Sequence, residues 1–303
     1  MIDRPDPPPV PTAADTLGWQ ARLELGLADR AGRTVVAHQR HRGPLTVQRP
    51  FYPEGGPCHL YLLHPPGGLV GGDRLELKVT VTTEAHALIT TPGATKCYRS
   101  AGPRAEQVQH LEVTAGGVLE WFPQENILFP GANLRLVTAV DLAEGARFMG
   151  WEIHSLGRPA IGERFAHGCA DLHLRLRRAG RPLLLERLWL HGGSGLDGPT
   201  GLRGLQVTGT LLASPADAAD LAAVRAHPVG AGHAADAGNP RGAPQPGPTE
   251  TLLWGATLVG DLLIARALAP GTEPLQRLFT ALWGILRPRL LGRAACPPRI
   301  WAT

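Results

Sequence analysis

Apolar and polar positions alternate along most of this chain, most clearly where Leu75, Leu77, Val79 and Val81 interleave with Glu76, Lys78, Thr80 and Thr82. A period of two sends each set to its own face, which predicts a half-buried strand. Ala85 to Thr90 is expected to be its partner, paired back across a Thr83–Glu84 turn. The same pattern predicts a hairpin of Trp19 to Leu27 with Thr34 to Arg42, and strands at Leu45 to Gln48 and His59 to Leu63. Further strands are expected at Val108 to Thr114, Val118 to Phe122, Leu134 to Val140, Arg147 to His154, Ala170 to Arg178, Leu183 to Leu190 and Leu205 to Leu212. Leu252 to Val259 and Asp261 to Leu268 resume the pattern after an interruption.

Helical spacing appears only late. Pro215 to Ala226 is Ala-rich and predicts a short helix. Thr272 is expected to cap a second one, with Leu275, Leu278, Phe279, Leu282, Ile285 and Leu286 on one face, and Pro288 kinks or ends it. The fold class is therefore mainly β, a β-helix-like or twisted-sheet architecture of many short strands with a small C-terminal helical part. Strand spacing alone does not choose between a sandwich and a β-helix-like winding.

Composition sharpens the organisation. With 38 Gly and 29 Pro in 303 residues, the chain is rich in turns. Residues 1–15 are Pro-rich and expected to be disordered, 16–303 to form one β-rich domain, and 228–248 to be a low-complexity surface loop. The net charge of +4 is carried by no basic run with interleaved aromatics, which argues against nucleic acid as a partner. No apolar stretch approaches the ~20 residues of a membrane span, and the start lacks a secretory h-region. A soluble, cytoplasmic protein is expected. Cys58, Cys97, Cys169 and Cys296 never form a CxxC pair and read as separate reduced thiols.

Candidate chemistry lies in the loops and in a few acids. His64-Pro65-Pro66-Gly67-Gly68 with Gly71-Gly72-Asp73, and Thr91-Pro92-Gly93-Ala94-Thr95-Lys96, hold the backbone in special paths. These loops are expected to converge at one sheet edge and present Asp73, Thr95 and Lys96, although two plain corners would account for the same composition. His191-Gly192-Gly193-Ser194-Gly195 resembles an oxyanion-hole loop, but Leu196 stands where a nucleophile elbow needs Gly. The Gly67 to Gly72 loop lacks the ending of a phosphate-binding P-loop. His38 and His41 fall on opposite faces of a strand, and Asp171 with His173 lacks a third ligand, so no closed metal site is legible. Glu186 sits in the apolar run Leu183 to Leu190, which has the pattern of a buried strand, so an arginine partner is expected. Glu152 lies similarly between Trp151 and Ile153. Asp73 suits an Asx turn. Residue by residue, these three acids do not form a site.

The strings HPPGGLVGGD, TPGATKCYRS, PQENILFPGA and PPRIWAT, together with GPLTVQRPFYPEG (Gly43 to Gly55) and LGRPAIGE (Leu156 to Glu163), resemble the urease accessory protein UreD (UreH) family. The likeness runs from about Trp19 to Thr303 and fades across Pro228 to Pro248. It implies a β-helical topology with a helical pair and no enzymatic activity. It also implies a scaffold that binds the urease apoprotein and UreF, with UreG recruited through UreF in a dimer of UreD–UreF units. Finally, it implies an internal tunnel through which Ni2+ passes in transit, with no tightly bound cofactor. The tunnel positions implied by the family correspond to Asp73, Thr95, Glu152 and Glu186. Three departures stand out: Arg74 where relatives often have an acid, Thr95 for Ser, and Glu152 for Asp. Nickel binds tightly to imidazole and thiolate, so isolated carboxylates and hydroxyls suit a conduit better than a store. The final helix and PPRIWAT are candidates either for the UreF interface or for core packing.

Overall fold

The computed structural model describes residues 18–193, 196–227 and 252–302. The Pro-rich start, Ser194 and the Pro228 to Pro248 tract lie outside them.

Arg74–Val81 and His86–Thr90 do not form the expected hairpin. Arg74–Val81 runs parallel between Gln20–Arg30 and Ala105–Val113. His86–Thr90 belongs to another sheet, parallel to Cys58–Leu63 and Val118–Phe122. The short corner between them, with Glu84 at φ 63°, carries the chain from one sheet to the other. Alternation fixes which face a side chain takes but not which strand lies beside it, so a hairpin and a sheet-to-sheet step look alike in sequence.

That step repeats, from Ala105–Val113 to Val118–Phe122 and from Asn133–Leu142 to Arg147–Arg158. It winds the chain into two stacked sheets of mainly parallel neighbours, the β-helix-like alternative. The seven-stranded sheet is parallel from Gln20–Arg30 through Arg74–Val81, Ala105–Val113 and Asn133–Leu142 to Cys169–Arg178. Antiparallel strands Arg33–Arg42 and Arg181–His191 close its two edges, the first completing the predicted hairpin. In the larger sheet, the parallel run ends at Arg147–Arg158. Val207–Ser214, Leu262–Ala269 and Leu253–Val259 then follow antiparallel.

The two inner faces share one core that includes Leu77, Val79, Leu111, Trp121, Val140, Phe148 and Leu172. Two helices follow the winding, a short α1 (Ala218–Arg225) and α2 (Thr272–Leu291), and the outer face of the larger sheet packs on α2 through Met149, Trp151, Ile153, Leu278, Phe279 and Trp283. Arg147–Arg158 is thus covered on both sides. Met149, Trp151 and Ile153 face the helix, so Gly150, Glu152 and His154 face the seven-stranded sheet.

Three local expectations change. Helix α2 is capped by Gly271, without a side-chain bond, and Thr272 is its first residue. Pro288 does not end it; the helix continues to Leu291 because burial of Leu286 and Arg287 holds its last turns. Leu183 to Leu190 lies in an edge strand rather than a buried one, with Leu185 65% and Trp189 57% exposed. Trp301 packs against Phe122, Trp151 and Trp283 and donates to Thr90 Oγ1 at 3.0 Å. The apolar face of α2 and this tryptophan therefore belong to the core.

Candidate functional site

The space between the sheets is not uniformly apolar. Across the seven-stranded sheet, strand pairing aligns Gln109, Thr138, Leu174 and Glu186 in one row. Facing them on the larger sheet, Glu152 pairs with Thr210 and Thr210 with Arg266. A polar stripe thus crosses an otherwise hydrocarbon interior. Thr138 donates to Gln109 Oε1 at 2.8 Å, so part of the stripe is satisfied within one sheet.

Three cavities follow it. The largest, about 240 Å³, is lined by His64, Thr95, Gln107, Gln109, Asn126 and Glu152 together with Trp121 and several leucines. A constriction of about 10 Å³ follows, bounded by Trp121, Thr138, Gly150, Glu152, Leu174 and Thr210. The third, about 30 Å³, is lined by Glu152, His154, Glu186, Thr208 and Thr210. Glu152 borders all three. The constriction has room for about one water molecule.

The structure brings three of the sequence-predicted residues, Thr95, Glu152 and Glu186, to the walls of these cavities. Glu186 has the expected arginine partner, since Arg266 donates to it at 2.7 Å, and Thr210 Oγ1 lies 3.5 Å from its other oxygen. Asp73 stands apart, buried at 1% exposure and absent from the walls of these three cavities. Its carboxylate accepts the N–H groups of Trp19 at 2.7 Å and Val70 at 2.8 Å, closing the glycine loop on itself.

The two Gly/Pro loops do converge. Gly68–Leu69 pairs in parallel with Thr95–Cys97, and a Cβ on Gly68 would lie 2.5 Å from the Lys96 carbonyl oxygen. Thr95 reaches the largest cavity, while Lys96 is exposed. The expected trio is therefore split by burial: one member inside, one in solvent and one holding the loop.

Several lining residues were missed from sequence. His154 was within reach, because two positions after Glu152 is the same face of a strand. Its Nε2 lies 3.6 Å from Glu152 Oε2, and Asn126 Nδ2 lies 3.4 Å from its Nδ1. His64 borders the largest cavity, and its Nε2 is buried without a hydrogen-bond partner. Burial pushes this imidazole below its ordinary pKa, partly offset by the nearby Asp73 charge, which favours the neutral ring. Gln109, Thr138 and Thr210 come together only through strand pairing and carry no local signal.

A second buried polar cluster lies on the helix side of the larger sheet. Arg287, with no exposed surface, binds Glu120 and Glu54, and these carboxylates also meet His86 and His59 at 2.7 and 2.8 Å. Burial raises the pKa of Glu120, but His86 and Arg287 outweigh it and hold the carboxyl below the usual range. The cluster is fully paired, as a structural clamp requires. Among the described residues, no group of three or more His, Cys, Asp or Glu is arranged to hold a metal ion.

A family model described as UreD urease accessory protein matches residues 20–302. The chain belongs to the UreD family. It is 46% identical over 97% of its length, and 97% of the relative's, to the urease accessory protein UreD of Pseudomonas entomophila strain L48. The relative from Azoarcus sp. strain BH72 is 48% identical, with 94% of this chain and 95% of the relative covered. The relative from Alkalilimnicola ehrlichii is 45% identical, with 99% and 97% covered. All three carry the name of an accessory protein, and none is named for a reaction. The UreD match spans both sheets and α2, and so every strand that borders the cavities. Among the described residues, no helix is long and apolar enough to cross a membrane.

Proposed function

We propose that this protein is a nickel-insertion chaperone in urease maturation. It acts as a scaffold linking the urease apoprotein to UreF, and through UreF to UreG, and as a conduit for Ni2+ between them. The observation that carries the conduit is Glu152, the one acid bordering three successive cavities along the polar stripe. Isolated oxygen donors, with no closed cluster of ligands among the described residues, suit an ion that must enter and leave. Thr95 stands at the loop end of this path and Glu186 at the sheet edge; Asp73 contributes by shaping the loop around the mouth.

The protein is proposed to act in the cytoplasm, without chemistry of its own. A scaffold that positions UreF and UreG without touching nickel is the second reading. It is favoured by Asp73 and Glu186, whose carboxylates are already occupied by backbone N–H groups and by Arg266.

The test is urease activation in cells carrying the urease structural and accessory genes, with this gene intact, deleted or bearing Glu152→Ala. Nickel per urease is read beside co-purification of UreF. The conduit predicts that Glu152→Ala retains UreF and delivers little nickel. Full delivery by a folded Glu152→Ala protein leaves only the scaffold, and full delivery after deletion removes both.

A further inference from the structure

A passage built only of carboxylates and hydroxyls attracts any divalent cation, including magnesium. The described interior holds a feature that answers this where an imidazole and a carboxylate share one strand face, and it rests on the conduit proposed above. We infer that Glu152 and His154 form a two-donor selection point in the passage, one oxygen and one nitrogen, with Asn126 setting which ring nitrogen faces the cation.

The backbone builds the arrangement. Glu152 and His154 are two apart on Arg147–Arg158 and share the face turned to the seven-stranded sheet. Asn126, on Asn126–Leu128, is the parallel-strand partner of His154, which brings the amide beside the ring. His154 is 7% exposed, so its ring is fixed by its neighbours rather than by water. Asn126 borders the largest cavity, His154 the one at the sheet edge, and Glu152 both. The remaining polar groups around this outer cavity are Glu186, Thr208 and Thr210, with Arg266 held on Glu186.

Hard cations prefer oxygen ligands alone, whereas nickel gains from imidazole nitrogen. A single nitrogen beside a carboxylate therefore tilts passage towards nickel, and two protein donors leave the rest of the ion's shell to water, so the ion can depart. Asn126 Nδ2 lies 3.4 Å from Nδ1 and can only donate to it, an arrangement that goes with the ring proton on Nε2, facing Glu152. Nickel on Nε2 requires the other tautomer. That proton moves through solvent to Nδ1, and Asn126 turns its amide so that Oδ1 accepts the new N–H. No net proton is gained or lost. A plain Glu–His ion pair needs none of this and confers no preference among metals.

The test uses the complete maturation complex with apo-urease, measuring nickel delivered while magnesium is raised. In His154→Gln, the magnesium concentration that halves delivery should fall about tenfold, the scale of losing one metal-site interaction. UreF co-purification should stay near wild type, and the delivery of each protein is read relative to its own level without magnesium. Unchanged magnesium tolerance overturns the selection point. Should Glu152→Ala still abolish delivery in that case, the conduit survives and only the selection point fails; should it deliver normally, both fail. A second measurement needs no variant. In full-length protein with 15N-labelled histidines, Zn2+ as a diamagnetic probe should move the His154 proton from Nε2 to Nδ1, and an unperturbed His154 ring contradicts the proposal.

Discussion

Arg266 donates to Glu186 at 2.7 Å, joining the edge strand of the seven-stranded sheet to an antiparallel strand of the larger one. The arginine side chain is half exposed, so the pair is screened and worth at most about 1 kcal/mol. On the proposed conduit reading, a cation at Glu186 would have to displace this guanidinium or share the carboxylate with it. Arg266→Gln should therefore leave the melting temperature almost unchanged and sustain or raise nickel delivery. Glu186→Ala should lower delivery without unfolding the protein. Nickel per urease, measured beside thermal melts of both variants, checks the pair of outcomes.

Arg287 is the opposite case. It has no exposed surface and holds Glu54 and Glu120 together, while Trp283 Nε1 donates to Glu120 at 2.7 Å. Removing the cation leaves the buried Glu120 and the half-buried Glu54 with only His86, Trp283 and His59 as partners, a loss on the order of 3–5 kcal/mol. Arg287→Met should show a loss of that size in urea unfolding. Arg287→Met combined with Glu54→Gln and Glu120→Gln should recover much of it, since no buried charge is then left alone.

Acid should weaken the same region in two steps. Burial depresses the His59 pKa below the ordinary 6.5, with Glu54 offsetting part of the effect. The unfolded chain then binds the extra proton first, so this contribution is complete above pH 6.5 and is lost as pH falls through the folded value. Glu54 and Glu120 are held below 4.5, so their contribution is complete above 4.5 and is lost as pH falls further. Melting temperature followed from neutral to acid should show both declines, and His59→Gln should remove the first.

The two glycine loops meet beside the 240 Å³ cavity and line it with Gly67, Gly68 and residues 91–95. A Cβ at Gly68 would lie 2.5 Å from the Lys96 carbonyl oxygen and 2.6 Å from a Tyr98 ring carbon. The Lys96 carbonyl does not move freely, because Gly68–Leu69 and Thr95–Cys97 are hydrogen-bonded strands, and the Tyr98 ring packs on Phe129. Gly68→Val should cost about 1–3 kcal/mol by overpacking and part the loops. Increased proteolysis between Thr91 and Thr95 would report that opening.

Much of this was legible in the chain. Alternation found the long strands, because a half-buried strand writes its two faces into sequence, and helical spacing found α2. The winding was not legible, since Ala85 to Thr90 looks the same whether it folds back on Arg74–Val81 or crosses to the other sheet. At the candidate site, Glu186 announced its need for a cationic partner, and its occupied state follows. Burial in the Leu183 to Leu190 run was misjudged because an edge strand of a covered sheet can carry exposed leucine and tryptophan. Gln109, Thr138 and Thr210 were invisible for a different reason. Each is an ordinary polar residue in its own strand, and only register across both sheets assembles them into a stripe.

The most direct test of passage narrows the constriction without removing an acid. Thr210 borders both the 10 Å³ constriction and the cavity holding Glu186. Thr210→Leu fills that space, and Thr210→Ser, which keeps the hydroxyl and the opening, is its control. The measurement is nickel per urease after maturation with each variant, with UreF co-purification showing that the scaffold is intact. Ion passage between the sheets predicts that Thr210→Leu binds UreF and delivers little nickel, while Thr210→Ser delivers normally. Full delivery by a folded, UreF-bound Thr210→Leu protein would contradict it.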